Sequence, residues 1–446
     1  MPLPRKFTPY LASVLTSPRV WGWRRAAFEF RRKLSARPHQ VHYFHQVDDP
    51  YSHLAAQTLR RLCELYDVSL VPHLVGPPAD SAAPERERLE AFARKDAADV
   101  APHLGLAMPR QRARPDAQLI ALAKQIVAAA LEGEAFLDVI VAVGVALWSS
   151  DGSAMQELAS KFGTIDPDAA VSALKQGDRE REKRGHYFSA MFYYAGEWYW
   201  GVDRLGYLEQ RLTQLGACRS EVDAGPIVNR GEHGEHGERA VDTESCQRIT
   251  LEVFFSARSP YSYIVLEPVM DLARRLPIDV VVRPVLPMVM RGLAVPRSKK
   301  FYILTDAKRE ADRLGVPFGH VCDPLGRPVE RLYSLVPFAR SRGRDKELLL
   351  AFTRAAWAEG VDTGSDAGIK TVVERAGLHF DEARAHLDQD NGWRSEVETN
   401  RADLLDLGLW GVPCFRIRGD GEESDFVSWG QDRLWLVEAA IRERLQ

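Results

Sequence analysis

The chain has 446 residues, of which 45% are hydrophobic and 27% charged, and its formal net charge is −3. This length allows two or three domains with large cores, and the small net charge of the whole chain gives no reason to expect nucleic acid or a membrane surface as a partner. Five cysteines without a C-x-x-C spacing argue against a disulfide framework, a thiol–disulfide pair or a metal site, and favour a reducing, cytoplasmic location. No run of about twenty apolar residues predicts an integral membrane span.

Residues 1–37 form a basic and aromatic segment. Its cations are interleaved with aromatic residues, namely Arg24, Arg25, Arg31, Arg32 and Lys33 among Trp21, Trp23, Phe28 and Phe30. The segment lacks the uninterrupted apolar core of a secretory signal. It predicts either a helix packed on its own domain, the reading we favour, or a helix that docks on a membrane surface or partner.

Two stretches, 41–75 and 251–286, repeat one pattern: a strand, an x-Pro-Tyr-Ser turn, a helix and a β-branched strand. Near the end of each half, at 192–212 and 415–445, a hairpin and the motif W-G-x-D-R-L precede a closing helix. Tyr51 and Tyr261 lie 210 apart in the chain, whereas Asp203 and Asp432 lie 229 apart. The difference of 19 predicts that the second copy is longer in its middle.

Each copy reads as β-α-β, a helical stretch and β-β-α, and the second copy shows helical periodicity at 299–313, 345–359, 366–376 and 380–389. This order predicts an α/β protein with two thioredoxin-like domains, each a mixed β-sheet with an inserted all-helical segment. The predicted parts are a basic segment at 1–37, a first domain at 38–217, a flexible Gly- and Glu-rich linker at 218–247, and a second domain at 248–446.

The turn Ser259-Pro260-Tyr261-Ser262 marks the predicted start of a helix in the second copy. Pro260 suits the first helical turn and Ser259 suits the N-cap. The unpaired N–H groups at a helix start, together with the helix dipole, make a site for an anion such as a thiolate or a carboxylate. A plain helix cap is the alternative reading of the same residues.

Two later motifs join this turn. In "GVPCF" we expect a cis Val412–Pro413 bond that faces the helix start and leaves the backbone of Val412 free to pair with a bound peptide. In "WGQDRL", Gln431 and Asp432 begin the last helix. Asp432 is either a charge cap of that helix or a partner for an ammonium group.

Four motifs in order, "SPYSY", "PRSKKFYILTDAKREADRLGVPF", "NRADLLDLGLWGVPCF" and "WGQDRL", give the region from about 250 to 446 a specific resemblance to known proteins. It resembles the 2-hydroxychromene-2-carboxylate isomerases and the kappa-class glutathione transferases, within the DsbA-like thioredoxin family. The resemblance implies glutathione as the cofactor. The site residues that it implies are Ser259 against the sulfur, Val412 and Pro413 along the cysteinyl backbone, Gln431 and Asp432 at the γ-glutamyl end, and Lys299 at the glycyl carboxylate, with Tyr261, Ser262 and Cys414 as secondary candidates.

The implied function is a glutathione-dependent isomerase or transferase that acts on an activated, aromatic-derived electrophile. Ser259 would donate a hydrogen bond to the glutathione thiolate, since donors and helix starts lower a thiol pKa. Addition of the thiolate to a double bond, rotation and departure would give isomerisation, and a retained adduct would give transfer. The expected partner is a small-molecule electrophile rather than nucleic acid, and a homo-oligomer is compatible with these motifs.

Two other classes of function remain open. A DsbA-type thiol–disulfide oxidoreductase is disfavoured because Ser259 and Ser262 stand where two cysteines are expected, although Cys414 offers one thiol beside Pro413. The plainer reading of Cys414 is a small buried residue. A non-catalytic thioredoxin-fold module would use the same groove to hold a peptide or partner. The loop 287–296 also lacks an asparagine that the resemblance leads us to expect near glutathione.

The first copy departs from the site pattern at three positions, where Asp49, Ala190 and Val202 replace Ser259, Pro413 and Gln431. A carboxylate beside the sulfur would repel a thiolate. Without the proline, the backbone edge for a peptide is lost. We therefore expect residues 38–217 to be a degenerate copy that scaffolds or covers the active half, or pairs with it internally.

Limited proteolysis of the full chain should cut first within 218–247, because this stretch has few apolar side chains to bury. Mass spectrometry of the earliest fragments would locate the cut. Earlier cleavage inside either copy would contradict the predicted boundary.

Overall fold

The computed structural model describes residues 8–109, 113–219, 225–229, 248–293, 295–419 and 424–446. Its contacts divide the chain into two compact units. We call Gly22–Glu235 the first domain, and Met1–Trp21 together with His236–Gln446 the second domain. Within the described ranges, no helix combines the length and the apolar character needed to cross a bilayer.

The described residues of the first domain include four strands, β1 (His39–His45), β2 (Val68–Leu74), β3 (Met191–Tyr194) and β4 (Glu197–Trp200). They form one mixed sheet in the order β2-β1-β3-β4, in which β1 and β2 are parallel and the other pairs antiparallel. The helices in this part of the chain are α1 (Thr8–Leu15), which belongs to the second domain, α2 (Pro18–Leu34), α3 (Pro50–Ala56), α4 (Leu59–Leu65), α5 (Arg86–Val100), α6 (Ala117–Ala130), α7 (Phe136–Trp148), α8 (Gly152–Phe162), α9 (Pro167–Lys183) and α10 (Leu205–Gln214).

The second domain has the strands β5 (Ile249–Phe255), β6 (Ile278–Pro284), β7 (Cys414–Ile417) and β8 (Phe426–Trp429). They form a second mixed sheet in the order β6-β5-β7-β8, with β5 and β6 parallel and the other pairs antiparallel. Its helices are α11 (Pro260–Arg275), α12 (Arg297–Arg313), α13 (Arg327–Ser341), α14 (Asp345–Trp357), α15 (Asp366–Arg375), α16 (Phe380–Arg384), α17 (Trp393–Asp406) and α18 (Leu434–Arg444). The predicted fold, an α/β chain of two mixed sheets with inserted helices, is confirmed.

The two sheets repeat each other strand by strand. The β1–β2 and β5–β6 pairs have the same parallel register, with a constant offset of 210 in residue number. The offset is 223 between Met191 and Cys414, which open β3 and β7, and 229 between Trp200 and Trp429, which close β4 and β8. The additional length of the second copy is therefore divided between the helical middle, which holds most of it, and the β7–β8 loop. The prediction that all of it lies in the middle is wrong, because the β7–β8 loop is also longer than the β3–β4 turn.

The helical middle of the second domain contains two helices, α13 and α17, that the sequence periodicity does not predict. α13 is buried around most of its circumference, so its apolar residues form no single stripe. α17 buries Trp393, Val397, Asn400 and Leu404. This 4-3-4 spacing is a regular helical stripe, and Asn400 in its middle makes the apolar pattern hard to see.

The core of the second domain lies between its sheet and the surrounding helices. Phe255 of β5, Phe415 of β7 and Phe352 of α14 are completely buried in one apolar cluster. Burial of each such side chain stabilises the fold by about 2–3 kcal/mol. The cluster holds β5 against α11, and the junction between them, residues 256–259, carries the predicted site.

The basic N-terminal segment forms α1 and α2, which pack separately. In α2, the guanidinium of Arg25 donates two hydrogen bonds to Glu197, at 2.7 and 2.9 Å, and Phe28 lies against Gly196. These contacts lie within the first domain. Ala12 of α1 is buried in an apolar cluster of the second domain. The favoured packing of a helix on its own domain is seen for α2, whereas α1 packs in the second domain, and the segment forms two helices rather than one.

Two described parts of the predicted linker contact the first domain. Arg219 lies 2.9 Å from Asp67, and the backbone N–H of Ile227 donates to the carboxylate of Glu209 at 3.1 Å. Val228 is buried. The rest of the predicted linker, 220–224 and 230–247, lies outside the described residues.

Replacing Gly177 of α9 by alanine should destabilise the first domain by about 1–3 kcal/mol. A Cβ there would lie 1.9 Å from the carbonyl oxygen of Leu74, so the helix must move away from β2. The matched control is Gly206→Ala in α10, where a Cβ meets nothing within 4 Å and should stabilise by about 0.5–1 kcal/mol. Urea unfolding of the full chain measures both, and equal effects would contradict the packing of α9 on β2.

Candidate active site

Ser259 lies between the end of β5 and the start of α11, opposite the proline of the "GVPCF" motif. Its Oγ accepts a hydrogen bond from the backbone N–H of Ser262 at 3.2 Å, which makes it the N-cap. The same hydroxyl donates to the carbonyl oxygen of Val412 at 3.3 Å. The Val412–Pro413 peptide bond is cis, as expected. The structure therefore brings together two motifs that are far apart in the chain.

The two hydroxyls that follow Ser259 face the protein. The Tyr261 hydroxyl donates to the carboxylate of Asp306 on α12 at 2.8 Å. Ser262 is fully buried, and its Oγ accepts the backbone N–H of Ser256 at 3.4 Å. Both secondary candidates thus hold the first turn of α11 in place, which is a positioning role.

Two aromatic side chains that the sequence analysis did not single out fix the junction between β5 and α11. The hydroxyl of Tyr333 accepts the backbone N–H of Ala257 at 3.3 Å and donates to the carbonyl of Val285 at 3.0 Å. The indole N–H of Trp357 donates to the carbonyl of Ala257 at 3.0 Å. Tyr333 lies on α13 and Trp357 on α14. Because the apolar residues of α13 form no single stripe, the sequence pattern does not mark Tyr333.

The short 3₁₀ turn Gln431–Arg433 is fixed to α12 by a buried polar pair. Gln431 Nε2 donates to the carboxylate of Glu310 at 2.8 Å, and both side chains are buried. Arg313 also pairs with Glu310, at 3.1 Å. Among the described residues, the amide oxygen Oε1 of Gln431 is a buried acceptor without a hydrogen-bond donor. Because buried acceptors are normally satisfied, this atom is an exception within the described residues.

Asp432 follows Gln431 and lies beside Arg433. Its carboxylate is 3.9 Å from the guanidinium of Arg433, and both side chains are largely buried. The carboxylate stands immediately before the first turn of α18. Asp432 precedes α18 in the chain, and its two foreseen roles, a charge cap and a partner for an ammonium, both stay predictions.

Lys299 on α12 brings a buried cation to the loop that precedes the cis bond. Its ammonium lies 5.7 Å from the centre of the Trp410 ring. Burial lowers the pKa of Lys299 to about 8. The carbonyl of Trp410 accepts a hydrogen bond from Arg291 at 3.0 Å, which ties the loop after β6 to the same place.

Cys414 does not have the environment of a reactive thiol. It is fully buried, and its Sγ lies 3.1 Å from the carbonyl oxygen of Gly411. Burial raises the pKa of Cys414 well above the ordinary range of a thiol. Because the thiolate is the species that attacks disulfides, the plainer reading of a small buried residue fits this environment.

The first domain keeps the scaffold of this site. The hydroxyl of Tyr51 donates to Asp96 at 2.8 Å, and their counterparts in the second domain, Tyr261 and Asp306, make the same bond at the same distance. This shared bond extends the constant offset of the parallel strands to α5 and α12. The start of the helix and the Tyr–Asp hydrogen bond that holds it are therefore alike in both domains.

The groups that would face a ligand differ between the two domains. At the start of α3, the carboxylate of Asp49 accepts the hydroxyls of Ser52 at 2.7 Å and Ser189 at 2.9 Å, and the backbone N–H of Ser52 at 3.0 Å. Burial raises the pKa of Asp49 to about 6. Ala190, at the position of Pro413, has a φ of 55° and no cis bond. The chain's own carboxylate thus occupies the anion position of α3.

The buried polar pair of the second domain has an apolar counterpart in the first. The offset of the parallel strands places Val100 where Glu310 stands, and the offset at the end of the hairpins places Val202 where Gln431 stands. Both valines are buried. Two buried valines need no hydrogen-bond partners, so the first domain fills the same space without polar groups.

Replacing Gln431 by valine, as in the first domain, should destabilise the second domain by about 1–3 kcal/mol, because the buried carboxylate of Glu310 loses a donor. Glu310→Val should be costly for the same reason. The double variant should cost less than the sum of the two by about 1 kcal/mol or more.

Urea unfolding of the full chain gives these free energies. The control pair is Lys370→Ala and Glu374→Ala, an exposed pair on α15 at 3.7 Å whose coupling should stay below about 0.5 kcal/mol. Strict additivity at Glu310 and Gln431 would show that their hydrogen bond contributes nothing.

The C-terminal half of the chain is similar in sequence to known proteins. Residues 250–442 match the sequence model of the DSBA-like thioredoxin domain. A 2-hydroxychromene-2-carboxylate isomerase of Sphingobium xenophagum is 23% identical over 200 residues, which cover 43% of this chain and 97% of that protein.

Solved structures resemble the same share of the chain. A 2-hydroxychromene-2-carboxylate isomerase has a TM-score of 0.37 at 19% identity and covers 44% of this chain and 95% of its own. The cytosolic disulfide reductase DsbM from Pseudomonas aeruginosa has a TM-score of 0.34 at 18% identity and covers 44% of this chain and 100% of its own. Both scores are low, and the assignment rests on the sequence match. The C-terminal half of this chain is a DsbA-like thioredoxin domain.

Proposed function

We propose that the second domain binds glutathione and works as an isomerase or transferase on an activated, aromatic-derived electrophile. The observation that carries the proposal is the contact of Ser259, at the start of α11, with the carbonyl of Val412 beside the cis bond. The relative from Sphingobium xenophagum, a 2-hydroxychromene-2-carboxylate isomerase, supports this class of reaction. Bound glutathione would supply a thiolate as the nucleophile.

Ser259 can donate a hydrogen bond to an anion by rotation of its hydroxyl alone. As an acceptor it stays bonded to the N–H of Ser262, and its own proton is held by Val412 at 3.3 Å. That distance is long for a bond between a hydroxyl and an oxygen, which is usually about 2.8 Å. A sulfur anion at the helix start would form a stronger, charge-assisted bond. The hydroxyl would then turn from the carbonyl to the anion.

The same rotation of the Ser259 hydroxyl would free a backbone carbonyl to which a peptide can bind. Once Ser259 releases the carbonyl of Val412, that oxygen can accept an N–H from the cysteinyl unit of a tripeptide. The N–H of Gly430 is bonded to the carbonyl of Pro413 at 2.9 Å, which keeps the following strand in place. Ser259 and Val412 therefore exchange one internal hydrogen bond for two bonds to the ligand.

The two ends of glutathione differ in charge, and the site provides matching groups on different elements. The free acceptor of Gln431 and the adjacent carboxylate of Asp432 suit an ammonium, which is a donor without acceptors. The buried ammonium of Lys299 suits a carboxylate. These roles would hold the tripeptide with its γ-glutamyl end at the turn before α18 and its glycyl end near Trp410.

We infer that the first domain is a copy that no longer binds glutathione. Asp49 fills the anion position, and its charge would repel a thiolate. The valines at positions 100 and 202 offer no polar atoms to an ammonium. A scaffolding role agrees with the preserved bond between Tyr51 and Asp96.

Replacing Ser259 by alanine should raise the pKa of bound glutathione. The thiolate loses a charge-assisted hydrogen bond worth about 1.5–3 kcal/mol. Since about 1.4 kcal/mol corresponds to one pH unit, the titration midpoint should rise by roughly one to two pH units. Affinity should change less, because the contacts of both ends remain. The thiolate absorbance of the bound tripeptide, followed against pH, measures the effect.

Ser365→Ala is the matched control for this experiment. Ser365 is also an N-cap serine of the second domain: it accepts the N–H of Gly368 at 3.0 Å and donates to the carbonyl of Asp362 at 2.7 Å. Its loss should cost about 1 kcal/mol of stability and leave the titration unchanged. Superimposable titrations of the Ser259→Ala variant and the unmodified chain would reduce Ser259 to a helix cap and favour a non-catalytic binding module.

A further inference from the structure

Helix α2 exposes an apolar stripe to solvent. Trp23, Phe30 and Leu34 are 80%, 68% and 78% exposed, and no residue of the helix is fully buried. At about 100° per residue, these three side chains and Ala27 lie within about 60° of one another around the helix. Large apolar side chains are seldom this exposed in a row on a soluble domain, so the stripe suggests a contact surface.

The opposite face of α2 fixes the direction of the stripe. Arg25 makes its two hydrogen bonds to Glu197, and Phe28 packs against Gly196. Glu29 lies towards this packed side and pairs with Arg32 at 2.7 Å. Because the inner face is held by an ion pair and an aromatic contact, the stripe is presented outwards by a fixed helix.

Cations flank the exposed stripe on both sides. Arg24 and Arg31 project along one side, and Lys33, 70% exposed and 3.6 Å from Glu29, along the other. Residues 1–37 contain nine Lys and Arg but only one acidic residue, Glu29, whereas the whole chain has a net charge of −3. The positive charge is thus concentrated in the segment that carries the apolar stripe, and the average over the chain conceals it.

We propose that this α2 face, namely Trp23, Ala27, Phe30 and Leu34 with Arg24, Arg31 and Lys33, docks on an anionic lipid surface. Tryptophan favours the boundary between headgroups and acyl chains. A helix that combines an apolar stripe with flanking Lys and Arg lies in the plane of that boundary. The cations meet the negative charge of phosphatidylserine-type headgroups. The proposal concerns the first domain and is independent of glutathione binding.

Co-sedimentation of the full chain with vesicles tests this. Binding is expected to phosphatidylcholine vesicles that contain phosphatidylserine, weakly or not at all to pure phosphatidylcholine, and less at high salt. The variant Trp23→Ser/Phe30→Ser and the variant Arg24→Gln/Arg31→Gln should each weaken binding at least about tenfold, the first by removing apolar area and the second by removing two charges. Both pairs are exposed, so the melting temperature should stay unchanged.

The matched control is Val145→Ser/Val171→Ser, which removes apolar side chains that are each 45% exposed elsewhere on the first domain. This variant should bind vesicles as the unmodified chain does. Failure to bind anionic vesicles, or unweakened binding by the α2 variants, would overturn the proposal. So would a dimer, seen by analytical ultracentrifugation, that Trp23→Ser/Phe30→Ser dissociates, because the face would then join two copies of the chain.

Discussion

The positive end of a helix needs a negative partner, and the two halves of this protein meet that need in different ways. In the first domain the carboxylate of Asp49 sits at the start of α3 and accepts two hydroxyls and backbone N–H groups. In the second domain a neutral hydroxyl, Ser259, caps α11. The start of α11 thus has a neutral cap, which under our proposal leaves room for an anion from outside, whereas the carboxylate of Asp49 neutralises the start of α3.

The remaining features of the site follow from this difference. If glutathione binds the second domain, as we propose, its other charges also need partners, and the candidates are Lys299, Gln431 and Asp432. Where the anion is internal, polar groups in the same space would be buried without partners, and the first domain has Val100 and Val202 there. Unpartnered buried polar groups cost free energy, so the two valines agree with our proposal that the first domain binds no glutathione.

Much of this arrangement can be predicted from the sequence, because it depends on short local motifs. The turn at Ser259 and the "GVPCF" motif are short patterns with strong backbone preferences, and the structure places them in contact. The repeat predicts that both halves contain the same succession of strands and helices, which no single segment reveals. The buried face of α12 was not foreseen, because Asp306 and Glu310 look like ordinary surface charges until Tyr261 and Gln431 reach them. Such partnerships depend on tertiary distance, and the sequence carries no signal of it.

We propose that one half of the chain is built to receive glutathione and that the other half is closed to it. Calorimetric titration of the full chain with reduced glutathione tests this most directly. The account predicts one site per chain, retained when Asp49 is replaced by asparagine and weakened when Gln431 is replaced by valine. Two equivalent sites, or a single site that responds to Asp49 and not to Gln431, would contradict it.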